Sequence, residues 1–502
     1  MNNLGNTNRC FVFLQGPHGP FFAQLAKMLR RTGARTIRVG FNKGDQVFWS
    51  PHSDYIGFHG RPETWADTFG DLIQTNDVTD LVLYGDTRDI HAQAIAIAKN
   101  HGLTVHVFEE GDLRPYWVTY ERNGANGHSR LMDMSVHEMQ EALKHSDVEM
   151  PMPPSHWGDT RHHVFYGALY HWFVMFANRR YPHFKPHRNI TITQEFQLYL
   201  KRLIMMPIHR VHRLFTTARI TQGGFPYHLV LLQLEHDAAF QNHSPFQSMR
   251  EFLEITVENF ANHAPRHHQL VFKAHPLEDG RAAIQKTLKT LAQKFAIEDR
   301  IHYVRGGKLA RLLDEARSAI TVNSTAGQQV LWRGIPLKTF GDAVYAKPEF
   351  VSDLSLADFF SAPARPDGRA YRDFRRYLLQ TSQISGGFYS RKGRKQLLRL
   401  VVDMMLSADD PYDALCSGKA APRQQLRVIS SQDGIWTSLF PNILVIWKKI
   451  KWSRGPSSAQ IHVENRGNHR PFFGYGSCFV MRTAAYWPDK KRNLCGFRSK
   501  KR

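Results

Sequence analysis

Three short stretches of this chain carry residue types that could do chemistry together: Glu109-Glu110-Gly111, His275-Pro276 and Ser324-Thr325. Paired carboxylates can supply a nucleophile and a general base or acid. A histidine can donate to a phosphate oxygen or to a departing phosphate. Hydroxyls beside backbone N–H groups at a helix start make a cradle for an anion. Brought side by side, such groups would suit transfer of a phosphate-activated sugar. Taken singly, each has a plainer reading: a solvated acidic loop, a turn after a strand, a helix N-cap. Their weight comes from their order and from following apolar runs, since open α/β sheets do their chemistry past the carboxyl ends of strands. Asn323 and Gly327 flank the hydroxyl pair and join the donor-binding set. Lys273 is a weaker member, expected on the other face of its strand from His275. Arg114, next to the carboxylates, could hold a substrate carboxylate or make a structural ion pair. There is no Asp-x-Asp, His-Glu-x-x-His or paired-cysteine pattern, so no metal ligation is expected.

The elements around these residues alternate strand and helix in two sets. In the first, residues 10–15 read as an apolar strand leading into the turn Gly16-Pro17-His18. A helix follows, with Phe21, Phe22, Leu25, Met28 and Leu29 on one side, and ends at Gly33. Strands are expected at 36–41, 80–84 and 104–108, the last breaking into the two carboxylates on a glycine turn. In the second set, strands at 228–235, 269–273, 301–304 and 319–322 alternate with helices at 249–261, 281–295, 309–316 and 328–333. The expectation is an α/β protein of two Rossmann-like lobes with a cleft between them. Residues 1–195 form an N-terminal catalytic lobe, 196–225 a helical connection, 226–370 a C-terminal donor lobe and 371–410 closing helices. Residues 421–502 form a basic tail expected to be poorly ordered.

The net charge of +22 is uneven: the last 82 residues hold 16 Lys/Arg against 3 Asp/Glu. No helix-turn-helix, zinc-finger or RNP pattern favours nucleic acid, so anionic lipid is the better partner for this charge. No secretory signal or membrane-spanning run is seen, and Cys10, Cys416, Cys478 and Cys495 show no disulfide spacing; a reducing cytoplasm is expected. The aromatic stretch Val164–Phe176, followed by Arg179-Arg180, reads either as a buried helix or as one lying on a membrane surface.

Several stretches together carry a resemblance: FLQGPHGPFFAQLAKMLRRTG, FEEGDLRPYWVTYERNGANGHS, LLQLEHDAAFQNHSPF, KAHPLEDG and TVNSTAGQQVLWRGIPLKTFGDAVY. In order and spacing they resemble the capsule-polysaccharide Kdo transferases of Gram-negative bacteria, of the KpsS/KpsC (LipB/LipA) type and nearest the KpsS side, over about residues 10–405. The resemblance implies a GT-B-like, metal-independent, retaining β-Kdo glycosyltransferase with CMP-β-Kdo as donor and no cofactor. The acceptor implied is a phosphatidylglycerol-type lipid at the cytoplasmic face of the inner membrane, where the first sugar of a poly-Kdo linker is laid down. A KpsC-like transferase and the capsule export machinery are the implied partners. Carried over, Glu110 takes the acidic catalytic position with Glu109 beside it, and His275, Pro276, Ser324 and Thr325 take the CMP-binding positions. Related modules often have Asp where Glu110 stands, which leaves nucleophile and acceptor-orienting roles both open. Gln15, Gly16 and His18, with Arg114, are candidates for the substrate carboxylate or the acceptor. Two other readings remain: a GT-B transferase with another nucleotide sugar, and a non-catalytic glycolipid-binding scaffold of capsule assembly.

Overall fold

Strand β1 (Cys10–Phe13) has every residue buried and lies inside a seven-stranded sheet. The structure is a computed structural model that describes residues 9–113, 116–144, 159–184 and 208–419, apart from 209, 210, 213, 277, 279, 306 and 307. Contacts divide the chain into a body, Met1–Leu426, and a unit Arg427–Arg502. The whole of that second unit, with Arg114 and half of the connection at 196–225, lies outside the described residues.

In the first lobe β1 is joined by β2 (Arg35–Gly40), β3 (Tyr55–Gly57), β4 (Asp80–Tyr84) and β5 (Thr104–Glu110) in parallel. Two antiparallel strands extend the β5 edge, β6 (Trp117–Arg122) and then β12 (Gln383–Ser385). Side chains alternate across each strand, which sorts the helices by face. Phe11, Phe13 and Phe108 pack under α1 (Phe21–Arg30) and α15 (Arg391–Leu406). Val12, Leu81, Val105 and Val107 pack under α3 (Trp65–Thr75) and α4 (Asp89–Asn100). The short α2 (Lys43–Val47) carries α6 (Asp159–Phe176), and α5 (Val136–Leu143) faces the second lobe.

The chain crosses over through a helix, α7, at 214–222. The second lobe is a five-stranded parallel sheet of β7 (Tyr227–Leu231), β8 (Gln269–Lys273), β9 (Ile301–Val304), β10 (Ser318–Thr321) and β11 (Leu337–Thr339), ordered β11-β10-β7-β8-β9. With β3-β2-β1-β4-β5, that makes two doubly wound sheets, a GT-B-like pair. Helices α8 (Ala238–Asn242), α9 (Met249–His263), α10 (Ile284–Lys294) and α13 (Leu356–Ser361) lie around one face. On the other, α11 (Leu309–Leu313), α12 (Gly327–Leu331) and α14 (Gly368–Gln380) share a core with α5, and α16 (Pro411–Cys416) also packs on α5. That core contains Trp117 and Met139 from the first lobe and Leu229, Phe374 and Leu378 from the second, so the lobes are welded at one side of the cleft.

Three expectations need correction. The carboxylates do not sit on a turn: the antiparallel partner β6 keeps β5 extended through Glu109 and Glu110, opposite Thr119 and Val118. The closing segment 371–405 is not all helix, because β12 interrupts it and returns the chain to the first lobe's sheet. The aromatic stretch forms a helix but is not buried: Val174 is covered, while Phe165, Trp172 and Phe176 are exposed.

Candidate active site between the lobes

β7, β8 and β10 end at one edge of the second sheet, and its chain order reverses between β7 and β10, where doubly wound sheets bind ligands. A cavity of about 430 Å³ opens there, a size suited to a small ligand. His275, Pro276, Ser324 and Thr325 line it, although 49 residues separate the two motifs. Lys273 lines it too, correcting the expectation that it faces away: strand alternation puts residues two apart on the same side. Its ammonium donates to Ala274 O at 2.8 Å. The opposite wall comes from the first lobe, through Asp112, Leu113 and Trp117.

The hydroxyl segment is held from below. Tyr345 donates its phenol to Ser324 O, and Ser324 Oγ accepts from Ala326 N at 3.3 Å. The helix behind it, α12, is only five residues long. A phosphate here would therefore meet hydroxyls and local N–H groups more than a helix dipole. Asn323 does not reach the cavity. Its amide donates to Ala239 O and His243 O at 2.7 and 2.9 Å and accepts from Gln233 at 2.6 Å, so it braces the loop. Gly327 is small for packing reasons: a Cβ there would lie 2.5 Å from the Tyr345 hydroxyl.

Glu109 and Glu110, consecutive on β5, leave the sheet on opposite faces. Neither lines the 430 Å³ cavity; Asp112 of the same loop does. Glu110 Oε1 accepts from the phenols of Tyr389 and Tyr84, at 3.2 and 3.4 Å. Burial, and next the Glu110 charge, push the Tyr84 phenol well above its usual value, so it stays a donor. Gly111 lets the loop close tightly, because an added Cβ would meet Trp117 O at 2.3 Å. Glu109 faces a different set of groups. Burial, and next the nearby Asp86, push its carboxyl up to about 8, against the pull of Arg88. At neutral pH it holds its proton, ready to give or relay one.

That raised value fixes a sign. Between the ordinary 4.5 and about 8 the folded chain keeps a proton that the unfolded chain has lost, so this group costs stability as pH rises through that window. Glu109→Gln is expected to raise the melting temperature at pH 8, by an amount worth roughly 1–2 kcal/mol after discounting for solvent access, and to change little at pH 4. Equal shifts at both pH values in parallel thermal melts would contradict this.

Sequence reasoning missed a group at the seam between the lobes. Asp86, past β4, accepts from Ala125 N at 2.9 Å and lies 3.2 Å from His128 Nδ1. The His128 ring meets His243 of the second lobe edge-on, with centroids 4.9 Å apart. Asp86 Oδ1 and His243 Nε2 have no hydrogen-bond partner among the described residues. The signal was present in Gly85-Asp86-Thr87-Arg88 at a strand end. The partners His128 and His243 lie far along the chain and follow no spacing rule. Arg88 donates to Gln15 Oε1 at 3.2 Å and is the cation facing Glu109.

Gln15, Gly16 and His18 are not brought to the donor cavity. Gln15 also donates to Asp45, and Gly16 packs against the Phe22 ring. His18 stacks on Tyr170 of α6 at 4.3 Å. The pocket beside Gly16 and His18 measures only about 10 Å³, room for at most a water. Among the described residues no cluster of three or more His, Cys, Asp or Glu could hold a metal ion.

Comparison with known proteins bears on this site. A family profile described as "Capsule polysaccharide biosynthesis protein" matches residues 79–389. The chain is similar to the "Capsule polysaccharide export protein KpsS" of Escherichia coli, 28% identical over 381 residues, covering 76% of this chain and 96% of that one. It is similar to the "Capsule polysaccharide modification protein LipB" of Neisseria meningitidis, 28% identical over 396 residues, covering 78% and 94%. Among solved structures it is similar to "Thermosulfurimonas dismutans KpsC, beta Kdo 2,7 transferase", at 14% identity and a TM-score of 0.35, covering 73% of this chain and 99% of that one.

Proposed function

This chain belongs to the capsule polysaccharide biosynthesis protein family, and from that premise we propose that it is a retaining glycosyltransferase, one that moves Kdo from CMP-β-Kdo to a (lyso)phosphatidylglycerol and so begins a poly-Kdo linker. The carrying observation is the cavity at the strand ends, where His275, Ser324 and Thr325 face Asp112, Leu113 and Trp117 of the other lobe. The Kdo donor and the lipid acceptor come from the motif resemblance. The reaction takes place at the cytoplasmic face of the inner membrane, alongside a KpsC-like transferase and the export machinery.

Glu110 attacks the anomeric carbon as the bond to the CMP phosphate oxygen breaks, and that oxygen leaves with the bonding pair. The Tyr84 and Tyr389 phenols hold the carboxylate in position. His275 and the Ser324 and Thr325 hydroxyls stabilise charge on the departing phosphate. The acceptor hydroxyl then displaces Glu110 and loses its proton to solvent; Glu109, protonated at neutral pH and on the opposite face of β5, is not the base for this step. Two inversions retain the β configuration. Arg88, beside Glu109, is available for the Kdo carboxylate, with Arg114 as the other candidate. Neither step requires a metal.

Asp112 is the second candidate nucleophile, favoured by its place on the cavity wall. The test is CMP release from CMP-Kdo, generated in situ, with phosphatidylglycerol vesicles, together with the mass of the lipid product. Acceptor-dependent CMP release and a lipid gaining one Kdo are expected. Release of UDP or GDP from another donor would replace Kdo with that sugar. Lipid binding by a folded protein with no donor turnover would make it a scaffold.

A further inference from the structure

We propose that the outer face of α6 docks the enzyme onto an anionic lipid bilayer. The helix is apolar nearly all round, yet only one side is covered. Its inner side is seated on the first lobe. Tyr170 accepts from Asn42 at 2.6 Å and stacks on His18, and Tyr166 lies beneath the Arg394 guanidinium. Val174 is buried. The outer side repeats at helical spacing through Phe165, Ala168, Trp172 and Phe176. Phe165 is 60% exposed, Trp172 50% and Phe176 68%. Large aromatics held in water at this density mark a surface meant for covering.

Charge selects the occupant. Arg161 stands one turn before Phe165, and Arg179 and Arg180 follow the last turn. From 159 to 222 the sequence has ten Lys/Arg against two Asp/Glu. Aromatics bracketed by arginines suit the boundary between acyl chains and anionic headgroups, with the rings in the interface and the guanidiniums on phosphates. None of the helices among the described residues is long and apolar enough to cross a membrane, so α6 lies along the surface. The geometry gives this position a purpose, which rests on the lipid-acceptor reading above. His163 of α6 stacks at 4.3 Å on Tyr389, whose phenol holds Glu110. A bilayer against the outer face therefore lies one helix away from the candidate nucleophile.

The experiment is flotation of the full chain with vesicles of phosphatidylglycerol and phosphatidylcholine, or of phosphatidylcholine alone, without any sugar donor. The wild type is expected to float with the anionic vesicles and to detach as salt rises. The triple variant Phe165→Ser, Trp172→Ser, Phe176→Ser is expected to bind at least about tenfold less at an unchanged melting temperature. Arg179→Gln with Arg180→Gln should weaken binding to anionic vesicles alone. Equal flotation by wild type and triple variant would overturn the proposal, as would a wild type that stays in solution. A dimer seen by light scattering that dissociates in the triple variant would also overturn it, making a second copy the occupant. A chain that floats but transfers no Kdo leaves this surface standing and removes the function; one that transfers Kdo to detergent-dispersed lipid but never floats does the reverse.

Discussion

Glu110→Gln is expected to abolish acceptor-dependent CMP release, by at least about a thousandfold, while leaving the protein folded. Removing a nucleophilic carboxylate takes away a bond-forming partner, and a thousandfold corresponds to about 4 kcal/mol of barrier. The substitution keeps shape and hydrogen bonding: the amide oxygen can take the place of Oε1 and accept from both tyrosine phenols. Melting temperatures within a few degrees would show that the loss is chemical. Mass spectrometry on rapidly quenched wild type should find the Kdo-enzyme adduct on the peptide carrying Glu110, and the variant should lack it. Asp112→Asn is the comparison that decides between carboxylates. If it abolishes turnover while Glu110→Gln keeps activity within tenfold, the nucleophile is Asp112 and Glu110 is a packing residue.

His275→Ala should cost about a hundred- to a thousandfold in kcat, the size of effect seen when one positioned donor to a developing anion is removed. The loss belongs in kcat more than in KM, because the charge to be stabilised grows as CMP departs. CMP departure precedes acceptor attack in the proposed sequence. Acceptor-independent hydrolysis and lipid transfer should therefore fall by the same factor. If transfer falls but hydrolysis does not, His275 acts on the acceptor, and the leaving-group assignment is wrong.

The two doubly wound lobes were legible because their strands are short apolar runs followed by glycine or histidine turns, as at Cys10–Phe13 and Gln269–Lys273. The His275 and Ser324 loops were legible as a pair for the same reason, since both follow parallel strands flanking β7. What escaped depended on pairing at a distance. Whether β5 stops at Phe108 or runs on through Glu110 is decided by β6, and β12 joins that edge from more than 260 residues later. Gln15, Gly16 and His18 resembled a ligand loop, but α6, itself far along the chain, covers it through Tyr170. The seam of Asp86, His128 and His243 joins three segments that no local pattern connects.

The return of β12 sets an order of assembly during synthesis. The first lobe's sheet has β6 as an open edge, and one of its faces lacks Leu397, Val401 and Met405, until residues past 400 have left the ribosome. By then the whole second lobe has already emerged. The amino-terminal half must therefore wait, incomplete and exposing both an unpaired strand and an apolar face, through the translation of the other half. Cutting the gene between the lobes would not yield two folded pieces. It would make that waiting state permanent, and the first lobe alone would be prone to aggregation.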